Sequence, residues 1–547
     1  MSEFITDMEA LEDEHFQRLR HLFASTKNKF QRCTTNAERV NFLLANKKVA
    51  KLSKAGLNQK KSGIKSNSAF YELTESGDKH FTDGYYERAL ATYGTALSFA
   101  ADDITLAIAF YNRSRTFLAL NMYDECLTDI DICMARGYSQ HLKIDLINRR
   151  KYVQILKEHD APPRTDPNTT RIQEIREEEK NPLIQSARNC IRIQTDDQYG
   201  QYIVASRNIE IGEILVVEKP YTWVVFDHLS MYCHECLKMC RNVIPCNKCI
   251  LAVYCSNTCK KNAFRSYHRY ECPIQQNILS FFYDVKELVF FALKMTLLVR
   301  NDNDANPDES IYRSDRYHEI SKLDSRIDNY PKEKLFTLSF ITAMVFQFAK
   351  QKTDLFSVRT YEDKFKEQFL FNLQIGTMHY REIELYRGKE EDDNPVYSNV
   401  IYPLSSLFKH SCNANALCYT LGSTLVVKSV STIKEGEQCF ISYGPSCVYL
   451  NKPKRQEILR YKFHFTCKCK PCEEDWPQEN NPEDYKKFRV VAQNLLAKNR
   501  QVIIDHMQRI IADLNEALET QSESSKEVLH LTERLRICYE LLGSLLV

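Results

Sequence analysis

The chain has 547 residues, of which 43% are hydrophobic and 27% are charged, which is ordinary for a globular protein of several domains. Its formal net charge of +2 gives no support to a general role in binding nucleic acid or anionic membranes. The most apolar stretches, LVFFAL from Leu288 and LFTLSFITAMVFQFA from Leu335, are too short or too interrupted to span a bilayer, so we expect buried helices there.

The first 68 residues predict a helical segment followed by a lysine-rich linker. The chain starts MSEFITDMEA, without the basic and apolar parts of a secretory signal, so we expect an intracellular protein whose cysteines are not in disulfides. Helical, charged sequence up to about Ala45 is followed by NKKVAKLSKAGLNQKKSGIK from Asn46. We interpret that stretch as a flexible, solvated linker, and a nuclear address is the alternative.

Residues 69–158 have a helical pattern that repeats after 37 residues, the separation of Tyr86 and Tyr123. Small residues let paired helices approach, and an aromatic ring fills the gap between them. The period is close to that of tetratricopeptide repeats, with a generic helical hairpin domain as the alternative. The pattern is carried by Gly77, Tyr86, Ala89, Tyr93 and Ala96 in the first unit, and by Asn112, Leu118, Tyr123, Cys126 and Ile130 in the second.

A charged, proline-rich linker at residues 159–182 leads into β-rich sequence at residues 183–232. The runs NCIRIQ, QYIVAS and EILVVEK predict short strands separated by turns.

Eight potential metal ligands then fall in four pairs within residues 233–272. Pairs with two or three intervening residues suit tetrahedral Zn²⁺, so we predict two closed, structural zinc sites. The alternative of disulfides or scattered core thiols is disfavoured by the fourfold repetition of the spacing. Cys240 is a spare. The pairs are Cys233 with Cys236, Cys246 with Cys249, Cys255 with Cys259, and His268 with Cys272.

After the eight-ligand segment, the sequence predicts helices at residues 273–386, strands within residues 387–446, and helices again at residues 485–547. The later strands are expected at about Thr424–Val430 and Gln438–Ser442. One β-rich domain is therefore split by a zinc insert and a helical insert, and helical domains flank it. This is an α+β fold class.

A second cysteine cluster lies in the segment 447–472. Cys467, Cys469 and Cys472 offer three thiolates, one fewer than a tetrahedral zinc site needs. Our candidate for the fourth ligand is Cys412. A zinc ion there would join two distant pieces of chain and wall off a pocket between them.

These motifs in this order resemble the SET-and-MYND-domain family, closest to its fourth-member type, which carries N-terminal repeats. The eight-ligand segment resembles a MYND finger. The β-rich parts resemble a split SET domain, with the signature Gly200 followed by IVASRNIEIGEIL, then YPLSSLFKHSCNAN, then EGEQCFISYG and the cysteine-rich tail. The resemblance covers about Pro182 to Cys472 well, and the helical ends more loosely.

The resemblance implies methyl transfer from S-adenosylmethionine to a protein lysine, with three structural zinc ions. Tyr443 matches the tyrosine at the methyl-transfer site, where its hydroxyl orients the amine and lies near the developing charge. The reaction needs an aligned, neutral amine, so positioning does much of the work. The cofactor positions implied by the family are Tyr199, Gly200, Gln201, Lys409, His410, Tyr443 and Phe465.

Four departures from the family pattern bear on activity. Lys409 replaces the usual Asn before the histidine, so it offers donors but no acceptor, and its charge would repel the cofactor's cationic end. Gly376 stands about where the family often has an Asn, in a strand after the helical insert. Ala414 replaces a proline. Either Tyr461 or Phe463 fills the place of a tyrosine that normally precedes the tail cysteines.

Two functions therefore remain open. The first is a cytoplasmic and nuclear protein-lysine methyltransferase, acting on histone or other proteins as a transcriptional regulator. The second is a SET-fold scaffold with weakened catalysis, which recruits partners through its finger and helical repeats. Proline-rich peptides are the expected partners of the finger, and a monomer is expected. Zinc-dependent hydrolysis, membrane insertion and direct nucleic-acid binding are disfavoured.

Overall fold

The computed structural model describes residues 14–57, 65–136, 140–159, 175–197, 199–225, 231–300, 310–325, 330–386, 396–476, 482–498 and 500–544. Helices predominate in these residues, and the strands form five small sheets, which confirms the α+β class. The start of the chain and most of the predicted 159–182 linker lie outside the described residues. Within the described part, no helix is long and apolar enough to cross a membrane.

Three N-terminal helices form a layer on a long helix that comes much later in the chain. They are α1 (Glu14–Phe30), α2 (Asn36–Leu44) and α3 (Lys47–Leu57), and each contacts the helix Lys332–Lys352. Helix α2 begins with a capping box between Thr35 and Glu38, which satisfies backbone N–H groups that would otherwise lack partners.

The flexible linker predicted from Asn46 is wrong for residues 47–57, which form α3. Val49 and Ser53 of α3 are buried, and Gly56 faces the ring of Phe348 so closely that an added Cβ would lie 3.0 Å from it. These buried residues recur with helical spacing between exposed lysines. The linker interpretation relied on the lysine content and overlooked this periodicity. Residues 58–64 of the predicted linker lie outside the described residues.

The next five helices pack each against the following one. Gly77 and Tyr93 form the predicted close approach, because a Cβ on Gly77 would lie 2.5 Å from the Tyr93 ring. The Tyr93 hydroxyl donates a hydrogen bond to Asp78 at 2.6 Å. The helices are α4 (Asn67–Thr82), α5 (Tyr86–Phe99), α6 (Asp103–Ala119), α7 (Tyr123–Met134) and α8 (Gln140–His159).

The β-rich part consists of small sheets whose strands come from both sides of the inserts. Strand β3 pairs with β11, which pairs with β10, and β4 pairs with β8, which pairs with β7. Strands β1 and β2 form an antiparallel pair. The strands are β1 (Ile191–Asp196), β2 (Gly200–Ala205), β3 (Ile214–Glu218), β4 (Thr222–Val225), β7 (Arg381–Tyr386), β8 (Val396–Ile401), β10 (Ala416–Leu421) and β11 (Thr424–Ser429).

Between β4 and β7 lie the eight-ligand segment and the helical insert. The long helices of the insert are buried on most faces, as their apolar sequence predicts. The elements are β5 (Ile244–Pro245), β6 (Val253–Tyr254), α9 (Asn257–Ala263), α10 (Arg269–Glu271), α11 (Gln275–Phe281), α12 (Lys286–Val299), α13 (Tyr317–Ser321), α14 (Lys332–Lys352) and α15 (Tyr361–His379).

Gly376 lies in helix α15, not in the strand expected for it. A Cβ at this position would lie 2.7 Å from Leu288 of α12, so the glycine permits the two helices to pack closely. Its place in the sequence is explained by helix packing.

A two-residue parallel pair brings the two motif segments together. Strand β9 (Lys409–His410) pairs with β12 (Phe440–Ile441). The chain then continues through α16 (Lys452–Phe463) and α17 (Lys470–Glu473) into the C-terminal helices α18 (Pro482–Lys498), α19 (Arg500–Thr520) and α20 (Lys526–Ser544). Helix α20 packs on β10, where the rings of Tyr539 and Tyr419 stack with centroids 6.4 Å apart.

Two buried cations join the eight-ligand segment to the rest of the chain. Lys294 of α12 donates hydrogen bonds to the carbonyls of Trp223 and His234 at 3.0 and 2.9 Å, and burial lowers its pKa to about 8. Arg113 of α6 forms a bidentate pair with Asp129 at 2.6 and 2.7 Å and donates to the Val243 carbonyl at 3.1 Å.

Removing the Asp129 carboxylate should destabilise the protein strongly. The Arg113 and Asp129 side chains are 1% and 0% exposed, and a buried charge that loses its partner costs about 3–5 kcal/mol. We expect Asp129→Ala to lower the free energy of unfolding by that amount in denaturant titration. The double variant Arg113→Met, Asp129→Leu should recover much of the loss. Equal stability of Asp129→Ala and wild type would contradict the structural role of this pair.

Candidate active site and metal centres

The sequence does not show which ligand pairs of the eight-ligand segment share a metal ion. In the structure the pairs are interleaved. The first and third pairs meet, and so do the second and fourth, with the ligand atoms of each set within 4.8 Å of one another. The sulfur atoms of Cys236 and Cys255 are 3.6 Å apart, close to the roughly 3.8 Å edge of a tetrahedron with Zn–S bonds near 2.3 Å. The two sets are Cys233, Cys236, Cys255 and Cys259, and Cys246, Cys249, His268 and Cys272.

His268 also contacts a carboxylate outside the ligand set. Its Nδ1 lies 2.9 Å from Glu271, and its Nε2 lies 3.3 Å from the sulfur of Cys246. A carboxylate on the far nitrogen fixes the ring orientation and raises its basicity, which is the usual arrangement for a zinc-binding histidine.

The third cluster contains Cys412 together with Cys467, Cys469 and Cys472, as predicted. Gln456 of α16 clamps the Cys467 backbone by donating to its carbonyl at 2.6 Å and accepting from its N–H at 3.0 Å. Four thiolates in reach of one point are a donor set for Zn²⁺. The three clusters therefore fit the three predicted zinc ions.

A cavity of about 340 Å³ lies beside the third cluster, within the range of small-molecule sites. It brings together the start of β2, the β9 segment and the segment after β12. Its wall consists of Tyr199, Gly200, Gln201, Lys322, Leu323, Asp324, Met378, His379, Tyr380, Arg381, Ser405, Ser406, Leu407, Lys409, Ser442, Tyr443, Gly444 and Phe463.

The β2 end of the cavity has features that suit a ligand. Gly200 adopts a φ of +63° and has no atom within 4 Å of where a Cβ would be, so the backbone turns sharply without blocking the space. The Oε1 atom of Gln201 is buried without a hydrogen-bond partner in the described residues. A buried amide oxygen normally has a partner, so this one is available to a donor on a bound molecule.

Tyr443 is held on three sides. Its hydroxyl donates to the Phe408 carbonyl at 2.7 Å, and its backbone N–H donates to Nδ1 of His410 at 3.0 Å. Its ring lies 4.9 Å from that of Phe463. Tyr443 is therefore a rigid, oriented polar group on the cavity wall.

His410 lies behind the wall, and it links Tyr443 to the third cysteine cluster. Its ring is buried, which lowers its pKa to about 4. Because Nδ1 accepts from Tyr443, the proton of the neutral ring is on Nε2, which lies 3.3 Å from the sulfur of Cys412. His410 is not among the residues that line the cavity, and it supports Tyr443 and Cys412. Its contact with the cofactor stays a prediction.

Phe463 lines the cavity, whereas Phe465 is not among the lining residues. Phe465 lies with its ring 6.3 Å from that of His410, away from the cavity lining. Of the two open alternatives Tyr461 and Phe463, only Phe463 lines the cavity. Helix α16 ends after Phe463 at His464, which adopts a φ of +55°, so the chain reverses direction between Phe463 and Phe465.

Charged side chains on the wall were mostly missed from the sequence. Lys409 was anticipated, but Lys322, Asp324 and Arg381 come from the helical insert and β7, far from the recognised motifs. Lys322 forms an ion pair with Glu319 at 3.4 Å. No short-range pattern could have assigned these residues, because only the fold brings their elements to the cavity.

Glu218 at the end of β3 is a buried carboxylate that sequence reasoning also missed. It accepts hydrogen bonds from the backbone N–H groups of Leu404 and Ser405 at 2.7 and 2.9 Å, so it holds the turn that carries Ser405, Ser406 and Leu407 of the wall. Burial raises its pKa to about 7. An acidic residue closing the apolar run EILVVE was the available signal.

Comparison with known proteins gives curated relatives but no matching family model. Protein-lysine N-methyltransferase SMYD4 of Danio rerio is 21% identical over 517 aligned residues, covering 77% of this chain and 67% of the relative. The human protein of that name is 21% identical, covering 73% of this chain and 66% of the relative. A SET and MYND domain-containing protein of Dictyostelium discoideum is 24% identical, covering 52% and 82%.

These relatives confirm the resemblance to SET and MYND domain proteins that the motifs predicted. The alignments span about two thirds of the length of the SMYD4 relatives. Among solved structures, the SET domain of LSMT bound to lysine and AdoHcy covers 65% of this chain and 86% of that chain, at 10% identity and a TM-score of 0.23.

Elemental analysis should find three zinc ions per chain. Cys412→Ser should lower the count to two, because the remaining three cysteines of its cluster cannot complete a tetrahedral set. Cys240→Ser is the matched control and should retain three. A count of two in the wild type would show that the cluster at Cys412 does not bind zinc.

The Glu218 carboxyl should make stability depend on pH near neutrality. Since its folded pKa is raised to about 7, its contribution is full below the unfolded value and is lost as the pH rises through 7. Glu218→Gln cannot titrate. The free energy of unfolding of the wild type, relative to that of the variant, should therefore fall by about 2 kcal/mol from pH 5.5 to 8. Denaturant titration measures it. A constant difference would contradict the assignment.

Proposed function

We propose that this relative of the SET and MYND domain proteins is a protein-lysine N-methyltransferase that uses S-adenosylmethionine. One observation carries the proposal: three segments far apart in sequence, at Tyr199–Gln201, Lys409 and Tyr443, meet at a single cavity beside a four-cysteine cluster. Cavities with a few oriented polar groups are the usual setting for small-molecule chemistry.

The cofactor would bind at the β2 end of the cavity. Bound there, it supplies an electrophilic methyl group on a sulfonium, and the protein supplies position. Gly200 leaves space for close approach, and the buried Oε1 of Gln201 would accept a hydrogen bond from the amino group of the methionine part. Lys409 would attract the carboxylate of the same part, which offsets its repulsion of the positive sulfur.

Tyr443 would orient the lysine amine of the substrate. Its hydroxyl is anchored on the Phe408 carbonyl at 2.7 Å, so its position is fixed before a substrate arrives, and preorganised dipoles of this kind lower reaction barriers. Lys409 and Arg381 add positive charge to the wall, which lowers the pKa of an incoming ammonium group and favours the neutral amine that attack requires.

Substrates, partners and location extend the proposal. The proteins methylated include histones or other nuclear and cytoplasmic proteins, consistent with a role in transcription. The finger and helices α4–α8 recruit partners, proline-rich peptides among them, and the chain acts as a monomer.

A second candidate is a scaffold that has kept the fold but binds the cofactor weakly. The observation that favours it is Lys409 on the cavity wall, where a cation faces a site for a cationic cofactor. Calorimetry with S-adenosylmethionine separates the two functions, because the enzyme predicts a measurable binding heat and the scaffold predicts binding too weak to detect.

Tyr443→Phe should lower methyl transfer to a peptide array about 10²-fold, since removal of one oriented dipole at a reacting group has effects of that size. Cofactor affinity measured by calorimetry should stay nearly unchanged. Tyr449→Phe is the matched control, because the Tyr449 hydroxyl donates to Glu533 in the C-terminal helices. Unchanged transfer by Tyr443→Phe would remove the catalytic assignment.

A further inference from the structure

The N-terminal layer formed by α1–α3 concentrates positive charge in a chain whose net charge is only +2. Between residues 14 and 57, ten basic residues face two acidic ones, Glu14 and Glu38. The rest of the chain therefore has an excess of acidic residues, which conceals the basic layer in the overall balance. The basic residues are Arg18, Arg20, Lys27, Lys29, Arg32, Arg39, Lys47, Lys48, Lys51 and Lys54.

Helix α3 holds the densest part of this charge. Lys47, Lys48, Lys51 and Lys54 are all exposed, and none of the four ammonium groups has an ion-pair or hydrogen-bond partner within the described residues. The opposite face of the helix is buried through Val49 and Ser53. The orientation is therefore fixed by packing, and the lysines project outward as one face.

This charge is placed where it costs the helix stability. Lys47 and Lys51 are four residues apart, and like charges at that spacing repel across one turn. Lys47 and Lys48 occupy the first turn, which contains no acidic residue, although the helix macrodipole favours negative charge there. An arrangement that opposes folding electrostatics indicates a charge kept for binding.

The basic layer lacks apolar anchors. In the described residues, no exposed large hydrophobic side chain lies between residues 19 and 57. Amphipathic helices that insert into membranes need such an apolar face, and protein interfaces usually contain aromatic anchors. A polyanion bound through charge alone is the partner class that matches this surface.

We propose that the α3 lysine face binds the phosphate backbone of duplex DNA. Helix α3 has 11 residues, about 16 Å, and the major groove of B-form DNA admits a helix, whereas that of A-form RNA is too narrow. Lysines act as point charges on phosphates, so the binding does not read sequence. The proposal departs from the expectation, based on net charge, that direct nucleic-acid binding is disfavoured.

The test is fluorescence anisotropy of a short, labelled DNA duplex with the full-length, zinc-loaded protein at several salt concentrations. The variant replaces Lys47, Lys48, Lys51 and Lys54 with Gln. Losing four phosphate contacts should weaken binding at least tenfold at low salt and reduce the slope of log K against log salt by about 3 to 4. Its thermal stability should not fall, because the buried face is intact.

The control replaces four exposed lysines elsewhere, Lys79, Lys143, Lys434 and Lys487, so that the total charge is equal. It should bind DNA as the wild type does. The proposal is overturned if the two variants lose affinity equally, if the wild type does not bind the duplex at low salt, or if anionic vesicles or an acidic peptide bind the lysine face more tightly than DNA. Methyl transfer is not needed for any of these outcomes.

Discussion

The candidate site depends on a parallel pair of only two residues in each strand. Lys409 and His410 lie beside Phe440 and Ile441, and the pair is too short to be stable alone. It is held from both ends: His410 accepts the Tyr443 N–H, and Cys412 joins the cysteines that follow α16. Metal binding at that cluster would therefore organise the cavity wall as well as the fold.

Buried charges connect the parts of the molecule that the inserts separate. Lys294 joins β4 and the finger to α12, Arg113 joins the helical hairpins to the finger, and Glu218 joins β3 to the turn that lines the cavity. Each makes at least one hydrogen bond to a backbone carbonyl or N–H group, which has a fixed direction. Such contacts position one element on another more specifically than apolar packing alone does.

Charged side chains are concentrated at two places in the molecule, the cavity wall and helix α3. The cavity wall combines Lys322, Asp324, Arg381 and Lys409 from separate elements. The lysines of α3 all lie on one helix, so their charged face can be identified from that helix alone. Both sets are invisible in a net charge of +2. Local electrostatics therefore says more about this protein's ligands than its overall balance does.

The sequence by itself determined the metal-ligand pairs and the buried helices, because these depend on spacing over one or two turns of chain. Gly200 and Tyr443 were found through the resemblance to a known family. The count of thiolates showed that one ligand was missing, and the structure places the candidate Cys412 with Cys467, Cys469 and Cys472. The tertiary structure decided which finger pairs combine, that Phe463 rather than Phe465 lines the cavity, and that Gly376 packs between helices. Those outcomes depend on where the chain turns and on which distant elements meet, and short-range periodicity contains neither.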